Sequence, residues 1–238
     1  MNDEQRQAAL VLCAHGISGQ CGMVAEHARA LAQEGRFSQV HGCALYGDPR
    51  LEVTLDALPD DEVLLVPYLM AEGYTLKTMQ RRVADHPAGG RVTISRPVGT
   101  QAAVTTLIAE KALSACHGAG WGPAETALLL VGHGTVRNPA SGATTQAHAR
   151  ALARQGHFAQ VATAFLDQPP VIAEAVARLE SAQVLAVGFF TDAGSHGQED
   201  VPERLGETGR TWVYAGPIGT DARMTRLLGR QAALCEVV

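Results

Sequence analysis

Aromatic residues are few, at 5% of the 238-residue chain, and no long apolar run interrupts the sequence. A membrane-spanning helix needs about 18 to 20 consecutive apolar residues, so none is expected. Cations are not in excess: 19 Lys and Arg against 24 Asp and Glu give a formal net charge of −5. That balance excludes the basic footprint by which nucleic-acid-binding proteins hold phosphates. Cysteine is scarce, and the five present (Cys13, Cys21, Cys43, Cys116, Cys235) are odd in number and form no Cys-x-x-Cys pair. Neither a zinc knuckle nor a disulfide framework is therefore expected, and buried thiols are the better reading. Charge blocks and low-complexity tracts that would mark an interaction tail are missing too. Met1 to Gln7 are polar and of mixed charge, unlike the basic-then-apolar order of a secretory leader, and a cytoplasmic protein is expected. Apolar sequence itself is plentiful: 46% of residues are hydrophobic, enough for a folded core without staples.

The chain repeats itself. His27 to Val40 aligns without a gap on His148 to Val161, with ten of fourteen pairs identical. Upstream, Ala14-His15-Gly16 answers Gly132-His133-Gly134; downstream, Pro97-Val98-Gly99-Thr100 answers Pro217-Ile218-Gly219-Thr220. Three matches in one order define a duplication covering residues 10 to 115 and 128 to 235. In each copy short apolar runs alternate with helical patterns. The runs lie at 10–14, 39–45, 63–69 and 91–94, then at 127–132, 159–166, 183–190 and 211–215. Uninterrupted short apolar runs are what strands buried on both faces look like. Their alternation with helices implies right-handed crossovers and parallel sheets. The expected fold is α/β: two similar doubly wound domains, 1–118 and 119–238, each with a four-stranded parallel sheet flanked by helices. The glycine-rich stretch Cys116 to Thr126 is the expected linker.

Ligands of open parallel sheets bind beyond the carboxyl ends of the strands, so strand position predicts a site. His133 directly follows the run Ala127–Val131, Asp167 follows Ala162–Leu166, and His196 lies in the loop after Val184–Phe190. All three should emerge along one sheet edge. The first copy is an internal control: His15 stands opposite His133, but Tyr46 stands opposite Asp167 and Thr75 opposite His196. The first domain is thus expected to carry a degenerate site, with His15 as a remnant or a contributor. Asp167 has a second reading, as cap of a helix starting near Pro170. His27, His41, His86, His117, His148 and His157 have no evident partners and are assigned no role. The glycines around His133 allow a loose phosphate or oxyanion turn, but a glycine pair alone is weak evidence. A hydrolase built on it lacks a nucleophile in a recognisable elbow.

Three separated elements, Leu128 to Thr135, Ala164 to Asp167 running into Pro169-Pro170, and Gly188-Phe189-Phe190 through Gly194-Ser195-His196 to Val201-Pro202, resemble the class II chelatases. Among these the similarity is to the sirohydrochlorin cobaltochelatases of the CbiX type and the related sirohydrochlorin ferrochelatases. It spans the second half and, more faintly, the first. The resemblance implies that His133 and His196 bind metal and accept protons, with Asp167 in place of an acid that is usually Glu. The chain departs from the family pattern at Gly188, where Pro is common, and at Gly197, where Val is common. It also implies a tetrapyrrole substrate rich in carboxylates, for which Arg137, Arg204 and Arg223 are the candidate partners. No permanently bound cofactor is expected; Co²⁺, Fe²⁺ or Ni²⁺ would be a substrate, and the protein a monomer or homodimer. The rival expectation is a non-catalytic metal or tetrapyrrole carrier with the same pocket.

Overall fold

The computed structural model describes residues 8–58, 62–135 and 142–235. The first copy runs β1 (Ala9–Ala14), β2 (Gly19–Gln20), α1 (Met23–Ala32), β3 (Val40–Ala44), β4 (Gly47–Asp48), α2 (Leu51–Asp56), β5 (Val63–Pro67), α3 (Tyr74–Ala84), β6 (Val92–Ile94) and α4 (Ala102–Gly118). The second runs β7 (Thr126–Gly132), α5 (Ala143–Gln155), β8 (Gln160–Phe165), α6 (Ile172–Ala177), β9 (Gln183–Gly188), α7 (Val201–Gly206), β10 (Thr211–Pro217) and α8 (Met224–Cys235). Two four-stranded sheets result, ordered β3-β1-β5-β6 and β10-β9-β7-β8, so that the second reproduces the strand order of the first. All their pairings are parallel, as expected. β2 and β4 add a two-residue parallel pair that joins the loops after β1 and β3.

The central strands are apolar throughout because both faces are covered. Successive side chains of a strand point to opposite faces, and every residue of β1 and of β7 is buried. In β1, Ala9, Val11 and Cys13 enter one core with Leu51, Leu55 and Met79 of α2 and α3. In β7, Ala127, Leu129 and Val131 do the same with Ile172, Val176, Val201 and Leu205 of α6 and α7.

The compact units are divided differently from the repeats. One unit comprises Met1–Thr100 with Ala222–Val238; the other comprises Gln101–Asp221. A boundary at residue 118 therefore misplaces the closing helix of each copy. α4 packs on α5, β9 and β10, whereas α8 packs on α1 and β5. Each exchanged helix is pinned by a buried histidine: His27 Nδ1 lies 2.8 Å from Thr225 Oγ1 on α8, and His148 Nδ1 lies 2.8 Å from Thr105 Oγ1 on α4. These two histidines, given no role from sequence, are thus structural. The expected linker is shorter than Cys116 to Thr126, since Cys116 is buried inside α4. No helix of the described residues is long and apolar enough to cross a membrane.

Candidate functional site

Three loops at the carboxyl edge of the second sheet bring the predicted residues together. His133 leaves the end of β7, where the chain must turn at once. Gly134 makes that turn with φ of 69°, a backbone region that L side chains rarely adopt. A Cβ at Gly134 would also run into Gln168, whose Oε1 accepts the Thr135 N–H at 2.9 Å. The two glycines around His133 therefore serve backbone geometry and close packing. No phosphate or oxyanion role is needed to account for them.

His133 Nδ1 is 2.8 Å from the Gly134 carbonyl oxygen and 3.5 Å from Asp167 Oδ2. Asp167 follows β8, and its backbone N–H donates to the His133 carbonyl at 2.9 Å, which ties the two loops together. It does not cap α6. That helix starts at Ile172, and Glu174 takes the Val171 N–H. Arg204 donates to the Leu166 carbonyl at 2.7 Å and so braces the residue just before Asp167 from α7.

His196 opens a π-helical turn, His196–Asp200, that continues into α7. The widened turn has a cause in Pro202. Proline lacks the N–H that would reach the carbonyl four residues back, and its ring crowds that carbonyl. Asp200 lies four residues beyond His196, and its Oδ2 contacts His196 Nδ1 at 2.5 Å. The His133 and His196 rings meet nearly at right angles, 87°, with centroids 4.9 Å apart. Both side chains are half-exposed, at 49% and 51%.

The acceptors around the two rings set their protonation pattern. A carbonyl or carboxylate oxygen accepts only, so each Nδ1 carries the hydrogen and each neutral ring keeps its lone pair on Nε2. Two Nε2 lone pairs from adjacent, crossed rings can hold a borderline divalent cation or accept protons. Among the described residues no cluster of three or more His, Cys, Asp or Glu is arranged to hold a metal ion. The pair is thus an open site, unlike the closed four-ligand cage of a structural zinc.

The three arginines fare differently. Arg204 lies beside the site but is partly engaged by Leu166. Arg223 belongs to the other compact unit, being within Ala222–Val238. Arg137 lies outside the described residues. Asp200 was not singled out from sequence as a functional residue, although its spacing from His196, one helical turn, was the signal. Gly188 is accounted for by Tyr214: a side chain there would meet the Tyr214 hydroxyl and the Phe190 ring. That hydroxyl is buried without a hydrogen-bond partner among the described residues, and burial pushes the phenol above its usual range.

The CbiX family model matches this chain twice, over residues 9–115 and 127–234. The chain belongs to the CbiX family. The two matched stretches are the two copies recognised in the sequence, so this CbiX chain is internally duplicated. Among relatives, it is 28% identical over 221 residues to a probable sirohydrochlorin cobaltochelatase of Halobacterium salinarum, covering 82% of this chain and 75% of the relative. Its fold superposes with a TM-score of 0.79 and 25% identity on a multi-domain protein of Deinococcus radiodurans with structural similarity to chelatases. That match covers 96% of this CbiX chain and 55% of the other, so this chain spans about half the length of the Deinococcus protein. A CbiX described as the terminal enzyme of sirohaem biosynthesis in denitrifying bacteria gives 0.78 at 23% identity, over 96% and 99% of the two chains.

Proposed function

We propose that this protein is a metallochelatase that inserts Co²⁺ or Fe²⁺ into sirohydrochlorin, a step of cobalamin or sirohaem biosynthesis. The observation that carries the reading is the crossed contact of His133 and His196, each with Nδ1 occupied by an oxygen acceptor. Family membership and the named relatives support it.

Metal insertion removes two pyrrole N–H protons and transfers a cation from water and protein ligands to four ring nitrogens. Nε2 of His133 and of His196 supply the two functions this requires, presenting the cation and accepting protons. Two imidazoles alone bind a divalent cation weakly enough to release it, which suits transfer better than storage. Asp200 holds the His196 ring through Nδ1, and Asp167 stands 3.5 Å from His133 Nδ1, so that a carboxylate lies behind each ring, an arrangement common behind metal-binding histidines. Of the cations, Arg204 is the candidate partner of a substrate carboxylate, with those of its N–H groups not taken by Leu166.

The test is insertion into metal-free sirohydrochlorin followed by absorbance, with Co²⁺, Fe²⁺ and Ni²⁺ in parallel. Multiple turnovers are expected with at least one cation, and His196→Ala should lower the rate at least about 100-fold with its circular dichroism unchanged. Near-normal turnover by that variant overturns the assignment. Stoichiometric uptake without turnover by the natural chain makes it a carrier instead.

A further inference from the structure

A buried amide lies beside His133 and takes no part in the chemistry above. Gln168 directly follows Asp167 and is only 9% exposed. Glutamine is mostly a surface residue, and a buried polar group is kept where its hydrogen bonds are met. The Gln168 side chain lies against two glycines, one in the turn after His133 and one just before α5. A Cβ at Gly134 would fall 2.5 Å from Gln168 Cγ, and one at Gly142 would fall 2.6 Å from Gln168 Nε2. The other atom of the amide head meets the Thr135 N–H at 2.9 Å. An N–H only donates, so that atom is the carbonyl oxygen, Oε1.

The first copy shows what this amide replaces. In both copies the backbone ladder runs on as far as the histidine: the Tyr46 N–H donates to the His15 carbonyl, and the Asp167 N–H to that of His133, each at 2.9 Å. Beyond that point the copies part. In the first, Gly47-Asp48 pair backbone to backbone with Gly19-Gln20, as β4 with β2. No side chain fits at Gly47, where a Cβ would lie 2.7 Å from the Gln20 carbonyl oxygen. Gln168 takes the place of Gly47 in the second copy. Among the described residues no strand pair joins the loops after β7 and β8, and the Thr135 N–H is bound by a side chain instead.

From this geometry we infer that Gln168 is a positioning residue for His133: its amide fixes the Gly134-Thr135 turn, and with it the direction in which His133 offers Nε2. The inference rests on the proposed reading of His133 and His196 as holders of the cation, and adds the side chain that keeps the first of them in place. His133 needs such a support. Its ring is half-exposed, its Nδ1 bond at 2.8 Å goes to the adjoining Gly134 carbonyl, and the Asp167 carboxylate stands farther off at 3.5 Å, a long separation for a hydrogen bond. A bond to the next residue orients the ring only relative to its own turn. Whatever holds Gly134 and Thr135 therefore holds the ring, and Gln168 packs on the one and accepts from the other.

The test records the histidine ring proton resonances of the metal-free full chain, that of His133 being assigned by its loss in His133→Ala, and follows Co²⁺ binding by visible absorption. Gln168→Ala should shift the His133 resonance and weaken Co²⁺ binding by about tenfold, the lower end of what losing an outer partner of a metal-binding histidine costs. Gln168→Glu, which keeps an accepting oxygen at the same reach, should bind Co²⁺ at least as well as the natural chain. Gln160→Ala controls for a merely structural role. Gln160 Oε1 accepts the Glu180 and Ser181 N–H groups at the opposite, amino end of β8, so that variant should lower the melting temperature yet leave the His133 resonance and the Co²⁺ affinity unchanged. A natural His133 resonance in Gln168→Ala overturns the inference, as does a Gln168→Glu variant that binds Co²⁺ as weakly as Gln168→Ala. Co²⁺ binding that survives His133→Ala overturns instead the reading of the histidines as cation holders, and the resonance alone then decides the inference.

Discussion

Asp200 lies one turn beyond His196, and its carboxylate decides which ring nitrogen of His196 carries the hydrogen. Replacing it with Asn keeps an oxygen acceptor but removes the negative charge from beside Nδ1. Losses of outer partners behind metal-binding histidines commonly cost about 10- to 100-fold in metal affinity, and Asp200→Asn should fall in that range in a Co²⁺ titration. A variant that binds Co²⁺ like the natural chain would show that the carboxylate is only a helix contact. The buried thiols invite a second measurement. Cys13 and Cys43 are register partners on β1 and β3, both fully buried. Burial, then contact with Cys43, pushes the Cys13 thiol well above its ordinary range. Only the thiolate is an effective nucleophile, and Cys43 is closed to reagents by burial, so neither cysteine should react with iodoacetamide near neutral pH until the chain is unfolded. Rapid labelling of either in the native protein, located by peptide mass, would contradict that burial.

Between elements, the duplicated Pro-x-Gly-Thr segments show what a repeat signature encodes. A Cβ on Gly99 would collide with the Met70 backbone, and one on Gly219 with that of Thr191. In both copies the glycine N–H donates to a strand-end loop carbonyl, Leu69 or Phe190, and the threonine hydroxyl closes back on its proline carbonyl. The signature thus fastens the last strand's exit to the loop that, in the second copy, leads to His196. Gly219→Ala should cost about 1–3 kcal/mol by overpacking against backbone that cannot yield, read as a lowered melting temperature, and should misplace His196 as well. An unaltered melting curve would mean that the loop adapts freely. Much of this was legible in the residues: the apolar runs marked the strands, the repeat showed that one succession of strands and helices occurs twice, and His133, Asp167 and His196 were readable as strand-end residues; the order of the strands within each sheet was not. What the sequence could not reveal was the exchange of α4 and α8. The pattern of an amphipathic helix says that one face is buried, not which of two near-identical sheets buries it. For the same reason His27 and His148 looked idle, since Thr225 and Thr105 are far from them in sequence.

At the scale of the whole chain, that exchange dictates where the protein can be cut. Unit Gln101–Asp221 is one continuous segment holding β7 to β10, α4, and the crossed histidine pair. The other unit is discontinuous, because α8 must return from the C-terminus to cover β5 and α1. A fragment of residues 1–118, the cut suggested by the repeat, would carry α4 without the sheet it packs on and leave His27 without Thr225. Its buried apolar strands would be uncovered on one face, and exposed apolar area of that kind opposes a unique folded state. A fragment of residues 101–221 keeps all of its own layers. The expectation is that 101–221 melts cooperatively by circular dichroism and binds Co²⁺ through His133 and His196, while 1–118 shows no cooperative transition. Joining residues 222–238 to 1–100 through a flexible linker should restore that transition, since it returns α8 to α1 and β5. If 1–118 instead melts as sharply as the full chain, the two terminal helices are interchangeable covers, and the exchange does not contribute to the stability of the first unit.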